Sequence, residues 1–260
     1  MGKDVRCSIQ RILYSEYCTF LFGSKGQFDI IFLISKARDC MKEYKGIIFD
    51  MDGVLLDSER LYKQIEADMY QAVGIQPTQK EIAKSMGRGC ENWWQYLKNV
   101  YHLDIDPAAQ AEYESRRYFE LLDVPEKRPA IFPGVRECFA ACHHAGFHLS
   151  IASGSKRYLV DKVIDLLGIR PYIDGFVTSE DVEVGKPEPD IMEAAASVMG
   201  VSPEECLVID DATNGIIAGK KAGADSWLFA SADAALVDAS IADAVVQSHW
   251  EIMDRLYLSK

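Results

Sequence analysis

Short apolar runs near residues 46–50, 147–152, 174–178, 206–210 and 225–229 alternate with amphipathic stretches near 134–145, 156–167, 190–199 and 214–222. Strand-length apolar runs separated by segments of helical period are the pattern of βαβ units, so the chain is predicted to be α/β with a doubly wound parallel sheet. Between the first two of these strands, ahead of the amphipathic stretch near 134–145, lies an insertion of about 80 residues. That is too long for a crossover and too periodic for a structureless loop. Amphipathic stretches near 58–73, 78–85, 90–101 and 107–122 make it an all-helical cap inserted into the sheet domain. Its links to the core are Val54 to Ser58 and the proline-punctuated segment from Val124-Pro125 to Phe132-Pro133-Gly134. Prolines limit flexing, but paired linkers still let a lid open and close. The domain plan is therefore a core of residues 41–56 and 131–260, a cap of 57–130, and an extension of unknown role at 1–40.

The candidate chemistry lies where the predicted strands run out. Asp50 and Asp52 follow Gly46-Ile47-Ile48-Phe49, and alternation along an extended chain points both to the same side. That suits a nucleophile beside an acid/base, at the strand ends where open α/β sheets do chemistry. A lone Asp-x-Asp equally describes a turn with two solvated acids. Leu149-Ser150-Ile151-Ala152 runs into Ser153-Gly154-Ser155, a hydroxyl followed by a residue whose backbone N–H can approach an anion. Lys186 sits between Gly185 and Pro187, a stiff mount for a point charge aimed at phosphate oxygens. Cys206-Leu207-Val208-Ile209 ends in a second acidic pair, Asp210-Asp211. Taken singly, Ser153 could be a helix cap, Lys186 a solvated loop charge, and either Asp210 or Asp211 a cap for the helix beginning near Asn214. Taken together, they form a set of tools for handling phosphate.

The segments DMDGVLLDSE, ASGS, GKPEPD and VIDDATNG stand in the order of the four motifs of the haloacid dehalogenase-like (HAD) hydrolase superfamily. The chain resembles, within it, the branch containing β-phosphoglucomutase and small sugar-phosphate phosphatases, from Lys45 to the C-terminus. The resemblance implies a Rossmann-like core in which Asp50 attacks phosphorus to form an aspartyl phosphate. Asp52 then protonates the leaving alcohol and deprotonates the attacking water, while Ser153, the Gly154 backbone and Lys186 hold the transferring group in line. The carboxylates of Asp50 and Asp211 and the backbone carbonyl of Asp52 are expected to hold Mg2+, with Asp210 in the outer sphere. Four crowded carboxylates need a cation, and oxygen donors without nearby His or Cys favour magnesium. The branch often has Glu-Asp where this chain has Asp210-Asp211, a shorter acid with the same charge. Asp52 argues against a dehalogenase, which has no leaving oxygen to protonate.

The cap is expected to select the substrate, because the core motifs contact only the phosphoryl group. Gly87-Arg88-Gly89-Cys90 interrupts the helical pattern, and Arg88 is the candidate for a second anionic group, with a solvated turn arginine as the alternative. Trp93, Trp94 and Tyr96 are expected to build the cap core, with stacking of one ring on a sugar as the alternative. Mutases of the branch carry a histidine where this chain has Tyr62 and an arginine where it has Cys90. A thiol cannot make the bidentate contact that clamps the second phosphate of a bisphosphate, although Arg88 lies two residues away.

A formal net charge of -12 and a pI near 4.9 disfavour nucleic acid and anionic membranes as partners, so attraction of the small phosphorylated metabolite that the resemblance implies must come from local devices such as Lys186 and the metal. With 48% hydrophobic residues the chain can bury a large core, yet no stretch approaches a membrane span. Seven cysteines scattered without Cys-x-x-Cys spacing point to a reducing cytoplasm. Cys138, Cys142, His143 and His144 resemble metal ligands, but Val135 to Ala145 reads as a helix with both cysteines on its apolar face. Residues 1–40 match nothing in the family pattern, and Met41 looks like a natural start. A mis-assigned start, an added packed element and a disordered or targeting extension are the three alternatives. The expectation is a cytoplasmic Mg2+-dependent phosphatase of a sugar or polyol phosphate, monomeric or weakly dimeric. A hexose-phosphate mutase is the runner-up, and a catalytically silent binding protein the third reading.

Overall fold

The computed structural model describes residues 43–82, 89–230 and 237–258. The extension at 1–40, Arg88 and the end of the 78–85 stretch lie outside them. Six strands form one parallel sheet: β1 (Gly46–Phe49), β4 (His148–Ser153), β5 (Gly175–Thr178), β6 (Cys206–Asp210), β7 (Asp225–Phe229) and β8 (Ala244–Val246). Their order is β5-β4-β1-β6-β7-β8, with every pair parallel. Every residue of β1 and β6 is buried. Helices cover both faces of such a sheet, which is why these strands read as continuous apolar runs instead of alternating ones.

Register positions the chemistry. Phe49 pairs with Ile151 on one side and Ile209 on the other. Asp50, one residue on, is therefore level with Ala152 and Asp210. The chain leaves β1 toward β4 on one side and reaches β6 on the other, so strand order reverses beside β1, the switch point where such sheets bind ligands. The crossover helices are α5 (Val135–His144), α6 (Arg157–Leu167), α7 (Asp190–Met199) and α8 (Thr213–Ala222), within a residue or two of the predicted stretches. Cys138 and Cys142 are buried on α5 while His143 and His144 are exposed, so the four do not converge.

Two features carried no readable signal. The last strand, β8, and the helix after it, α9 (His249–Arg255), lie beyond the last predicted strand, and three residues are too few to show a period. The links to the insertion are not free segments: β2 (Leu56–Asp57) and β3 (Ala130–Ile131) pair antiparallel, Leu56 with Ile131 and Asp57 with Ala130.

Between β2 and β3 lie α1 (Glu59–Ala72), α2 (Gln79–Ile82), α3 (Cys90–Tyr101) and α4 (Pro107–Leu121). Leu61, Ile65 and Met69 recur every four residues on α1 and are buried. The α4 helix starts with Asp106, whose side chain accepts from the Ala108 N–H at 3.1 Å, followed by Pro107 at the first helical position. Trp93 and Trp94 are buried, and the Trp93 indole N–H donates to the Tyr70 hydroxyl at 2.8 Å. Tyr96 stacks on Trp93. These rings form the packed centre of the helices, and one apolar cluster runs from them through Leu55 and Met51 to Phe49 and Ile47 of the sheet. Among the described residues, no helix is long and apolar enough to cross a membrane.

Candidate active site

Asp50 leaves β1 with its backbone N–H still on the Ile209 carbonyl at 2.9 Å, so its buried side chain is delivered by the sheet itself. The Lys186 ammonium lies between Asp50 Oδ1 at 2.5 Å and Asp210 Oδ2 at 2.7 Å, and donates to the Ala152 carbonyl at 3.1 Å. One ammonium thus ties together the ends of β1, β4 and β6 from the loop that follows β5. Of the two environments open to Lys186 from sequence, the structure gives the buried one. Burial opposes the Lys186 charge, but the Asp210 and Asp50 carboxylates overcome it and hold the ammonium above its ordinary range.

Asp210 is fully buried, and its Oδ1 accepts from the Ala212 N–H at 2.9 Å as the chain turns into α8. A Cβ at Gly215 would lie 1.8 Å from Asp210 Oδ2, so only glycine lets α8 approach this closely. Asp211 stands beside it, and a Cβ on Gly53 would fall 1.8 Å from Asp211 Oδ2. Gly53 also has φ of +78°, where its N–H turns back to the Leu56 carbonyl at 2.8 Å. Close approach and left-handed backbone both require glycine there.

The electrostatics follow from crowding four carboxyls around one ammonium. A like-charged pair about 4 Å apart costs on the order of 4 kcal/mol at an effective dielectric near 20. Burial, then the Asp210 and Asp52 charges, push the Asp50 carboxyl up to about 7, against the pull of Lys186. Burial, with Asp210 and Asp50, pushes Asp211 up to about 9, and Lys186 offsets only part of this. Among the described residues no hydrogen bond or ion pair reaches the Asp211 side chain. The donors are all oxygens, the chemistry of a hard divalent cation. No three His, Cys, Asp or Glu side chains among the described residues form a ready-made metal cage. Two carboxylates, a main-chain carbonyl and substrate oxygens do not need one, so the residues present fit the expected ion.

Asp52 differs in its company. Its Oδ2 accepts from the Ser155 hydroxyl at 2.9 Å, while Oδ1 is buried with no partner among the described residues. Burial raises its pKa, against lowering by the Ser58 and Ser155 hydroxyls. Ser155 was inside the ASGS segment but carried no assigned task. Ser153, at the end of β4, is buried and accepts from the Ser155 N–H at 3.1 Å, so it shapes the turn before α6 and is not that helix's cap. Gly154 is exposed with open space where a Cβ would point, leaving its backbone approachable. Tyr62 and Tyr118 from the helical insertion also lie beside Asp52, their rings stacked at 4.6 Å. Tyr118 had no local signal, since it stands more than sixty residues from Asp52. Arg88 lies outside the described residues.

The geometry agrees with what the chain is similar to. The family model for haloacid dehalogenase-like hydrolases matches residues 44–223. Hexitol phosphatase B of Escherichia coli is 30% identical over 185 residues, 70% of this chain and 81% of that protein. Fructose-1-phosphate phosphatase YqaB, also from Escherichia coli, is 29% identical over 189 residues, 71% of this chain and 96% of that protein. Among solved structures, CbbY from Rhodobacter sphaeroides in complex with phosphate superposes with a TM-score of 0.71, covering 80% of this chain and 96% of its own, at 22% identity. The last is a likeness of fold. The chain belongs to the haloacid dehalogenase-like hydrolases, as an enzyme of the phosphoric monoester hydrolase class.

Proposed function

We propose that this enzyme removes phosphate from a small sugar or polyol phosphate, with Asp50 as nucleophile and Asp52 as general acid and base. The observation that carries the reading is the pairing of Asp50, held at the sheet edge by Lys186, with Asp52, held apart from it by Ser155. One carboxyl is beside an ammonium and the other beside hydroxyls, the separation of environments that divides nucleophile from proton carrier. Asp50 attacks phosphorus, forming the P–O bond of an aspartyl phosphate as the ester oxygen leaves with the proton of Asp52. Asp52 then takes a proton from water, which attacks the same phosphorus and releases inorganic phosphate and the free Asp50 carboxylate. Lys186, Ser153 and the Gly154 backbone orient the phosphoryl oxygens. Mg2+ would be held by Asp50, Asp211 and the Asp52 carbonyl, with Asp210 behind them, and when bound it supplies charge neutralisation for the phosphoryl group. Hexitol phosphatase B and fructose-1-phosphate phosphatase among the relatives support a sugar or polyol phosphate as substrate. Residues 57–130 would act as the cap that selects it.

The mutase alternative is disfavoured by Cys90, which takes the place of the expected arginine and donates its S–H to the buried Glu114 carboxyl. A second phosphate brought there would meet another acid. The test is phosphate release from a panel of sugar and polyol monophosphates with Mg2+, alongside assay for interconversion of glucose 1- and 6-phosphates. Release of free phosphate, silenced by EDTA and restored by Mg2+, is expected. Efficient bisphosphate-dependent isomerisation with little free phosphate would overturn the proposal.

A further inference from the structure

A line of polar groups runs from Asp52 into the helical insertion. Ser58 and the stacked Tyr62 and Tyr118 lie beside Asp52. Glu114 stands one turn before Tyr118 on α4, about 6 Å along the helix axis. It is buried, in the electrostatic reach of Tyr62, and accepts from the Cys90 thiol on α3. Beyond Cys90 lies the Trp94 indole.

These groups are poorly satisfied for their burial. Tyr118 and Trp94 are fully buried, yet the Tyr118 hydroxyl and the Trp94 indole N–H complete no hydrogen bond among the described residues, nor does Asp52 Oδ1. A thiol is a weak donor for a buried carboxyl. Buried polar groups ordinarily find partners, and an aromatic-lined series of unpaired donors and acceptors is how a site reads the hydroxyls of a ligand. The series starts at the residue proposed to protonate the leaving alcohol, the end from which the alcohol portion of a substrate would approach it.

We infer that Glu114 is a specificity-determining residue, its carboxyl hydrogen-bonding a hydroxyl of an uncharged polyol or sugar chain and turning away substrates with a second phosphate at that end. This rests on the proposed phosphatase reading. Burial pushes the Glu114 carboxyl up to about 7, so near neutral pH it can both donate to and accept from a hydroxyl.

The test compares three probes with the full chain and Mg2+: sorbitol 6-phosphate, hexyl phosphate, which has the same carbon count without hydroxyls, and fructose 1,6-bisphosphate. The wild type is expected to prefer the hexitol phosphate. Glu114→Gln should lower the hexitol-to-hexyl ratio of kcat/KM by about tenfold or more, chiefly through KM. It should also raise relative turnover of the bisphosphate. Glu114→Asp, which retracts the same group, should give an intermediate ratio and keeps the test open if the amide variant fails to fold. An unchanged ratio, or equal loss on sorbitol and hexyl phosphates, would overturn the inference alone. No phosphate release from any probe by the wild type would overturn the phosphatase reading and this inference with it.

Discussion

The strand-edge site and the centre of the helical insertion both bury acids, but they stabilise them differently. At the sheet edge Asp50 and Asp210 share Lys186, with charges matched at 2.5 and 2.7 Å. In the insertion Glu114 has a thiol for company, and burial dominates its titration. Charge pairing is rigid and directional, which phosphoryl transfer demands. A desolvated, weakly paired carboxyl keeps its hydrogen-bonding capacity for a ligand. On the proposed reading, reaction and selection rest on two kinds of polar burial, linked through Asp52, Tyr62 and Tyr118.

The largest contrast should come from Asp50→Asn, which removes the proposed nucleophile without adding bulk. Phosphate release is expected to fall on the order of 10⁴-fold or more while circular dichroism and melting stay near wild type. Substantial residual turnover would break the assignment of chemistry to the sheet edge.

Gly53→Ala tests the same edge through its backbone. The added Cβ would lie 1.8 Å from Asp211 Oδ2, on a residue with φ of +78°. Displacing Asp211 should cut activity on the order of 10²-fold at limiting Mg2+, with partial recovery at high Mg2+. Unaltered Mg2+ dependence would show that Asp211 does not hold the ion.

On the insertion side, Trp94→Ala should cost about 3–5 kcal/mol in urea unfolding, because it empties a fully buried indole site. A loss under about 1 kcal/mol would mean the rings are not the packed centre.

The smallest effect is a pH dependence. Glu114 has its pKa raised from the ordinary 4.5 to about 7 by burial, with Glu66 adding and the Cys90 hydrogen bond opposing. The folded state therefore holds this proton more tightly than the unfolded chain. The stabilisation is full below pH 4.5 and is lost as pH rises through 7, on the order of 3 kcal/mol in all. Glu114→Gln stays neutral, so it should melt several degrees above wild type at pH 8.5 and close to it at pH 5. Equal differences at both pH values would show that the carboxyl is not desolvated.

Much of the sheet-edge site was legible because its residues sit directly after apolar runs. Asp50, Ser153 and Asp210-Asp211 each stand at or just after the end of a predicted strand, and parallel register then brings them to the same end of the sheet. Ser155 was visible in the same motif, but its bond to Asp52 crosses more than one hundred residues and has no local period. Glu114 and Tyr118 read as ordinary polar and aromatic positions of an amphipathic helix. The β2–β3 ribbon was hidden because two-residue strands carry no alternation.

The sequence by itself determined the α/β class, the helical nature of the insertion and the order of the acidic and phosphate-handling segments. These follow from local periodicity and from residue chemistry adjacent in the chain. Only the tertiary structure decided which carboxyl receives Lys186, which one stands apart with Ser155, and which helix face brings Tyr118 to Asp52. Those outcomes depend on strand register and helix packing between distant segments, where burial and proximity, not residue type, set the charge and the partner of each group.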